Sequence, residues 1–306
     1  MKSSTWLPVL EQLAKGELIS GSQLGANLSV SRAAVWQRVE YLKSIGVDIQ
    51  ASDLGYRLSH AVYLPDPATI QDHVGIEVDL SPEVCSTNTL VLESRAERCL
   101  MTLYQNQGRG RRGRRWIAAP GDALMFSVGA WLDCGIQDLA GLSIEVGVAI
   151  CQVLNGLGVN ACLKWPNDLW VDERKLAGLL MELQGDQDRT FVVIGLGLNL
   201  WPTSGVNAST TSIVEASNHV WTDQDTGSLI NALCSAINNY PRRTPQDRIE
   251  RYNAVSLLNG REINVIAGST QISGIAHGID EFGRLCVLTH AGAEYVSAGE
   301  VSVRPR

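Results

Sequence analysis

Apolar residues recur at helical spacing from the start of the chain: Leu7, Leu10, Leu13 and Ala14 share one face and stop at Gly16. Ser20-Gly21-Ser22 offers a cap for a second short helix through Gln23, Leu24 and Leu28. After the tight connection Ser29-Val30-Ser31, Ser31 is an N-cap for a third helix with Val35, Val39, Leu42 and Ile45 on one side and Gly46 as its stop. Residues 47–58 then alternate as strand, turn and strand around Ser52-Asp53-Leu54-Gly55. Two helices across a short turn, followed by a hairpin, predict a winged helix-turn-helix over residues 1–62.

The stretch from His60 to Pro67 holds two prolines and no continuing period, so it reads as a linker. Beyond it, strand-like runs at 100–105, 123–130, 161–165, 176–183 and 191–200 surround one long helix carrying Leu142, Val146, Ala149, Val153 and Leu154. This pattern predicts a mixed α/β domain over residues 63–258. From Gly260 the pattern changes to short β segments at 262–266, 271–277, 285–288 and 294–296, which suits a small β-barrel over residues 259–306. The longest apolar stretches, around 124–132 and 191–201, are about half the ~20 residues of a spanning helix. The first ten residues show no secretory pattern, and the expectation is a cytoplasmic protein with no membrane partner.

Composition narrows the function classes. Hydrophobic residues at 45% and charged residues at 19% describe a globular chain rather than a disordered one. With 25 Lys+Arg against 32 Asp+Glu the net charge is −7, so any nucleic-acid contact must come from a local patch. Residues 1–60 hold six bases (Lys2, Lys15, Arg32, Arg38, Lys43, Arg57) and five acids (Glu11, Glu17, Glu40, Asp48, Asp53), a net of only +1. The seven cysteines are scattered, and none of the five histidines lies within metal-ligand spacing of another. Free thiols are expected, with no tightly bound metal or redox cofactor.

The chemistry concentrates in a few segments. Between Gln107 and Trp116 lie five arginines and three glycines. Glycines let a backbone approach a ligand, and arginines supply forked, permanently charged donors for phosphate or carboxylate. A solvated basic loop or a nonspecific nucleic-acid patch has the same composition, but the run lies between two strands of an acidic domain, which favours a ligand loop. Lys164-Trp-Pro-Asn-Asp168, leading into Arg174-Lys175-Leu-Ala-Gly178, reads either as a tight turn or as a phosphate clamp on one strand-turn-strand, with Asp168 as the candidate Mg²⁺ ligand. Gly195-Leu-Gly197-Leu-Asn199 reads as a strand end packed against a neighbour and lacks the third glycine of a dinucleotide fingerprint. Ser86-Thr87-Asn88 opens a helical run, as an N-cap or as a contact for a polar ligand head. No Gly-x-Ser-x-Gly elbow surrounds Ser86, which excludes a serine hydrolase of that type.

Taken in order, Ser86-Thr-Asn88, Gly108-Arg-Gly-Arg-Arg-Gly-Arg114-x-Trp116, Lys164-Trp-Pro-Asn-Asp-Leu169, Arg174-Lys-Leu-Ala-Gly178 and Gly195-Leu-Gly-Leu-Asn199 resemble the motifs of biotin protein ligases. With Ser20-Gly-x-Gln-Leu-Gly25 and Ser31-Arg-Ala-Ala34 ahead of them, the resemblance is to the bifunctional bacterial type, ligase and biotin operon repressor in one chain. It implies a winged helix, a ligase domain of the class II synthetase type and an SH3-like barrel. The implied activity is two-step: biotin and ATP, as its Mg²⁺ complex, form biotinyl-5′-AMP, and the biotin then passes to a lysine of a carboxylase's biotin carboxyl carrier domain. By motif position, Ser86, Thr87, Asn88, Gln105, Arg109, Gly110, Arg111 and Lys175 would contact biotin or its adenylate, with Arg111 and Lys175 catalytic. Trp116 would stack on adenine, and Asn167, Asp168 and Asn199 would lie near the nucleotide. Residues from Gly21 to Glu40, notably Ser31, Arg32, Ala33, Trp36 and Gln37, would face operator DNA, with a homodimer formed when the adenylate is bound. Cys85 stands where the family often has an acid, and Asp122-Ala123 replaces a small-polar pair; neither removes a charged contact. A ligand-sensing regulator without catalysis and a lipoate-type ligase are the rival readings.

Overall fold

The computed structural model describes residues 5–202, 209–268 and 270–303. The chain opens with α1 (Leu7–Leu13), α2 (Gly21–Leu28) and α3 (Arg32–Ser44), followed by the hairpin β1 (Ile49–Ser52) and β2 (Gly55–Leu58). Local chemistry sets the boundaries: Ser20 Oγ accepts from Gln23 N and Ser31 Oγ from Ala34 N, each at 3.2 Å, so both caps work as expected. Val9, Leu10, Leu13, Leu24, Val35, Val39 and Leu42 are fully buried between the three helices. This core extends onto the next domain, taking in Leu80, Leu103 and Tyr104. Glu83 Oε2 accepts from Trp6 Nε1 at 3.2 Å and from Tyr41 Oη at 2.9 Å, which fixes the N-terminal unit against the central domain.

The expected linker is anchored rather than loose. His60 Nε2 lies 2.7 Å from Asp122 Oδ1, and its pKa is raised chiefly by that hydrogen bond. Tyr63 N donates to Gly121 O, while its hydroxyl donates to Asp223 at 2.6 Å. Asp66 then caps a short α4 (Pro67–Gln71), with Pro67 at a first-turn position where its missing N–H costs nothing.

The central domain is a seven-stranded sheet. Its strands are β3 (Glu77–Val84), β4 (Arg98–Gln105), β5 (Ala123–Leu132), β6 (Cys162–Lys164), β7 (Asp168–Val171), β8 (Arg174–Gly185) and β9 (Thr190–Asn199), in the spatial order β3-β4-β5-β9-β8-β7-β6. Only β3 and β4 run parallel; α5 (Thr87–Ser94) connects them. The expected strand-turn-strand around Asp168 is three strands joined by two turns, and the Trp165–Pro166 bond in the first turn is cis.

One face of the sheet is covered by α6 (Leu142–Gly156), the long helix the periodicity predicts. The apolar run here is longer than the sequence reading allowed. Ile136–Gly156 has the length and hydropathy of a crossing segment by composition alone. In the fold it is a core helix, with Leu142, Val146, Ile150 and Leu154 fully buried. Two further helices escaped the reading, α8 (Asp223–Asn239) and α9 (Pro245–Val255), preceded by one turn, α7 (Ile213–Ala216). Both pack on α6, and their starts are marked by Thr222-x-x-Asp225 and Thr244-Pro-x-Asp247, where each threonine accepts from the acid's backbone N–H. Buried Glu145 on α6 pairs with Arg243 at 3.3 Å and Arg251 at 3.7 Å, tying α9 to the core helix.

The C-terminal unit is an antiparallel sheet of β10 (Glu262–Ala267), β11 (Thr270–Ile279), β12 (Leu285–Thr289), β13 (Gly292–Val296) and β14 (Glu300–Val303), in the order β13-β12-β11-β10-β14. β14 was not among the expected segments. Ile263, Val265, Ala276, Leu285 and Val287 are fully buried and continuous with the core of the central domain, so this sheet is docked on its neighbour.

Candidate active site and exposed helix face

A 340 Å³ cavity lies over the middle of the large sheet and under the arginine loop. At one end the start of α5 supplies Ser86, Thr87 and Asn88, all buried. Ser86 caps the helix, Thr87 N donates to Gln105 Oε1 at 2.9 Å, and Ser127 Oγ lies 2.6 Å from both Thr87 Oγ1 and Asn88 Oδ1. Asn88 Nδ2 donates to Leu180 O at 3.0 Å and Glu182 Oε2 at 2.9 Å. These side chains hold one another in fixed orientations, a prerequisite for reading a small polar ligand head.

The loop closes the cavity from above. Gly110 N donates to Arg114 O at 2.7 Å and Trp116 N to Gly108 O at 3.0 Å, folding the segment back on itself. Arg109 donates to Glu182 at 2.9 Å and to Thr89 Oγ1 at 2.9 Å, while Arg111 Nη1 donates to Asn167 Oδ1 at 2.9 Å. Arg112 and Arg114 both reach Glu300 on the C-terminal sheet. Burial lowers the Arg111 pKa, yet a guanidinium stays charged at neutral pH.

From below, Lys175 Nζ on β8 donates to Asp168 Oδ1 on β7 at 2.8 Å and stands 6.0 Å from the Trp116 ring. Lys164 Nζ sits 3.9 Å over the Trp170 ring, and burial lowers its pKa. Trp116 lines the cavity with its indole N–H buried and without a hydrogen-bond partner among the described residues. The lining includes seven cations (Arg109, Arg111, Arg112, Arg114, Arg115, Lys164, Lys175) and two acids (Asp168, Glu300). Such a surplus suits an anionic ligand of more than one charge.

The eleven sequence-derived site residues other than Asn199 come from separate segments and all line this cavity. Asn199 does not line the cavity. Its amide donates to Thr211 O at 3.0 Å and steadies residues 209–211, which bracket the Lys175 backbone through Lys175 N to Ser209 O and Thr211 N to Lys175 O. Among the described residues no group of three His, Cys, Asp or Glu could hold a metal ion.

Two further residues of the site lie on β9 and one on β14. Gly195 and Gly197 alternate onto the cavity face of β9, where a Cβ would stand 2.1 Å from Asn88 Oδ1 and 2.5 Å from the Trp116 ring respectively. That alternation was the available signal. Glu300 had none, being 186 residues from its partner Arg114.

On α3, Ser31, Arg32, Ala33, Trp36 and Gln37 are all exposed, opposite buried Val35, Val39 and Leu42. Trp36 is 55% exposed on a helix whose other face is core.

Comparison with known proteins agrees with this architecture. Residues 81–199 match the Biotin/lipoate A/B protein ligase family, residues 259–304 the biotin protein ligase C terminal domain and residues 6–57 an HTH domain. The bifunctional ligase/repressor BirA of Escherichia coli is 33% identical over 99% of both chains. A biotin--[acetyl-CoA-carboxylase] ligase of Mycobacterium tuberculosis is 31% identical over 74% of this chain and 88% of its own. The fold is that of a biotin protein ligase from Aquifex aeolicus solved with biotin and ATP, with a TM-score of 0.64 at 23% identity over 75% of this chain and 99% of that one. The chain belongs to the biotin protein ligase family, in its form with an N-terminal helix-turn-helix domain.

Proposed function

We propose that the protein is an ATP-dependent biotin protein ligase that also represses transcription of biotin-synthesis genes. The observation that carries the ligase reading is the cation-lined cavity closed at one end by the fixed Ser86, Thr87, Asn88 and Gln105 group. That group takes the uncharged polar head of biotin and directs its carboxylate toward Arg111 and Lys175. The carboxylate oxygen attacks the α-phosphorus of ATP; the C–O–P linkage forms, the bond to the β-phosphate breaks, and pyrophosphate leaves with its Mg²⁺. Arg111 and Lys175 stabilise the negative charge that grows on the phosphate oxygens, with Asn167 and Asp168 orienting them. Arg109 and Gly110 belong to the covering loop, and Trp116 offers its ring to adenine. The mixed anhydride is reactive, and a loop tied at Glu182 and Glu300 keeps water from it until the biotin passes to a lysine of the carboxylase's carrier domain.

Incubation with Mg²⁺-ATP, biotin and a purified carrier domain, read by avidin blotting, should label the carrier. Label from lipoate instead of biotin, or none from either, would overturn the ligase reading.

The repressor reading rests on the exposed face of α3. Its unit carries little net charge, so a single copy binds DNA weakly and two copies on adjacent half-sites are needed. The last four residues of β8, 182–185, pair with β9 on one side and with none of the described strands on the other, a free edge that a second copy would extend. We therefore read the active repressor as a cytoplasmic homodimer formed when biotinyl-5′-AMP orders the loop. Sedimentation should show a dimer at micromolar protein in saturating adenylate; a monomer there rules this out. Arg32→Ala should weaken operator binding about tenfold or more, as loss of a base or phosphate contact in each protomer requires, with biotinylation unchanged in the avidin assay.

A further inference from the structure

Ser127 on β5 is fully buried and does not line the cavity, yet its hydroxyl joins two of the side chains that do. Its Oγ lies 2.6 Å from Asn88 Oδ1 and 2.6 Å from Thr87 Oγ1. We propose that Ser127 is a positioning residue for head-group recognition: it takes the Thr87 hydroxyl proton and leaves Thr87 facing the cavity as a hydrogen-bond acceptor, which selects a ligand with an N–H at that point. The inference rests on the ligase reading above and carries it from a polar head group to the pattern of donors that this head group must present.

The chain of protons has one direction because its far end offers acceptors only. Asn88 Nδ2 donates to Leu180 O at 3.0 Å and to Glu182 Oε2 at 2.9 Å, a carbonyl and a carboxylate. The same carboxylate faces the Arg109 guanidinium at 2.9 Å, which has only protons to give. Turning the Asn88 amide over would set its oxygen against both acceptors, so Oδ1 is the atom that meets Ser127. Two oxygens at 2.6 Å need a proton between them. Asn88 Oδ1 carries none, and the Ser127 proton therefore lies in that contact. Ser127 has no second proton, so the equally short contact to Thr87 is filled by the proton of Thr87. The competing acceptor, Gln105 Oε1, stands at 3.4 Å from Thr87 Oγ1 and already takes the Thr87 backbone N–H at 2.9 Å. Thr87 Oγ1 has lone pairs and no proton left for a ligand.

The neighbouring groups are oriented in the complementary sense. Because Gln105 Oε1 accepts from a backbone N–H, its Nε2 is the opposite atom, 3.4 Å from Met125 Sδ and with a further proton to give. Ser86 Oγ accepts from Thr89 N at 3.5 Å and keeps its own proton to donate. An acceptor beside donors is the complement of a cyclic urea, whose ring N–H groups flank a carbonyl. It opposes a ring that places oxygen where the N–H would be. Ser127 and Asn88 are buried, so solvent does not supply a proton that would reverse the chain.

Two cyclic carbamates, each of them biotin with one ring N–H replaced by oxygen, test the proposal, with binding to the full-length protein followed by calorimetry. Ser127→Ala removes the group that takes the Thr87 proton and frees that proton to turn to the ligand, whereas Thr87→Ser keeps the chain. In the wild type and in Thr87→Ser one of the two carbamates should bind about 100-fold or more weakly than biotin, the penalty of an acceptor set against a buried acceptor. In Ser127→Ala that ratio should fall below about tenfold, with the carbamate gaining on biotin. A purely structural loss at β5 would weaken biotin and carbamate together and leave the ratio at its wild-type value, which overturns the proposal. Wild-type protein that binds both carbamates within tenfold of biotin also overturns it, and that result needs no variant to fold. Wild-type protein that binds neither biotin nor a carbamate would instead remove the ligase reading beneath it.

Discussion

Lys175→Ala is expected to slow biotin-dependent ATP–pyrophosphate exchange by about 10²–10³-fold, the usual cost of removing one preorganised donor from a developing oxyanion. The fold around position 175 should survive, because the backbone there is held by the ladder with β7 and by residues 209–211 on the other side, none of which involves the side chain. What the substitution removes is an ammonium group fixed 2.8 Å from Asp168. It thereby exposes the incoming phosphates to an unbalanced carboxylate, adding repulsion to lost attraction. Lys164 does not substitute for it, being held 3.9 Å over the Trp170 ring. Asp168→Asn separates the two effects: it frees the ammonium and removes the repulsion, so its exchange rate should fall far less than that of Lys175→Ala. An exchange rate for Lys175→Ala within tenfold of wild type would show that the charge on the phosphate is stabilised elsewhere.

The residues differ in how visible they were before the fold was known, and the difference is one of range. Ser20 and Ser31 announce α2 and α3 because a cap is satisfied by an amide three residues on, and the buried face of α3 is written in its 3.6-residue period. Thr222 and Thr244 carry the same local signal for α8 and α9, but the polar first turns that follow them mask the apolar stripe. The site motifs were legible as dense clusters of glycine, arginine and lysine, and they converge in the cavity. Illegible were the contacts that cross the chain. Glu300 meets the arginine loop only because β14 lies at the edge of a sheet docked on another domain. Asn199, drawn to the nucleotide by its motif, points instead to Thr211. A motif fixes which residues are neighbours in sequence, whereas strand alternation decides which of them face the ligand.

That alternation yields the second large effect. Gly195→Ala should raise the KM for biotin by roughly 10–100-fold with the KM for ATP nearly unchanged, the loss matching one or two hydrogen bonds to charged or buried partners. An added methyl at position 195 would stand 2.1 Å from Asn88 Oδ1, 3.1 Å from Asn88 Cγ and 3.2 Å from Ser127 Oγ. Asn88 is buried and bound at once to Ser127, Leu180 and Glu182, so it cannot move aside without breaking the group proposed to hold biotin. Gly197→Ala, the same change two residues along the same strand face, meets the Trp116 ring at 2.5 Å and should raise the KM for ATP instead. Both positions lie in β9, a central strand, so each substitution also costs some stability, on the order of 1–3 kcal/mol for overpacking. General destabilisation would move both Michaelis constants together in both variants. Opposite selectivity from two identical substitutions, measured by steady-state exchange at varied biotin and varied ATP, requires instead that β9 present one glycine to each half of the adenylate, and matched changes in the two constants would refute that division of the site.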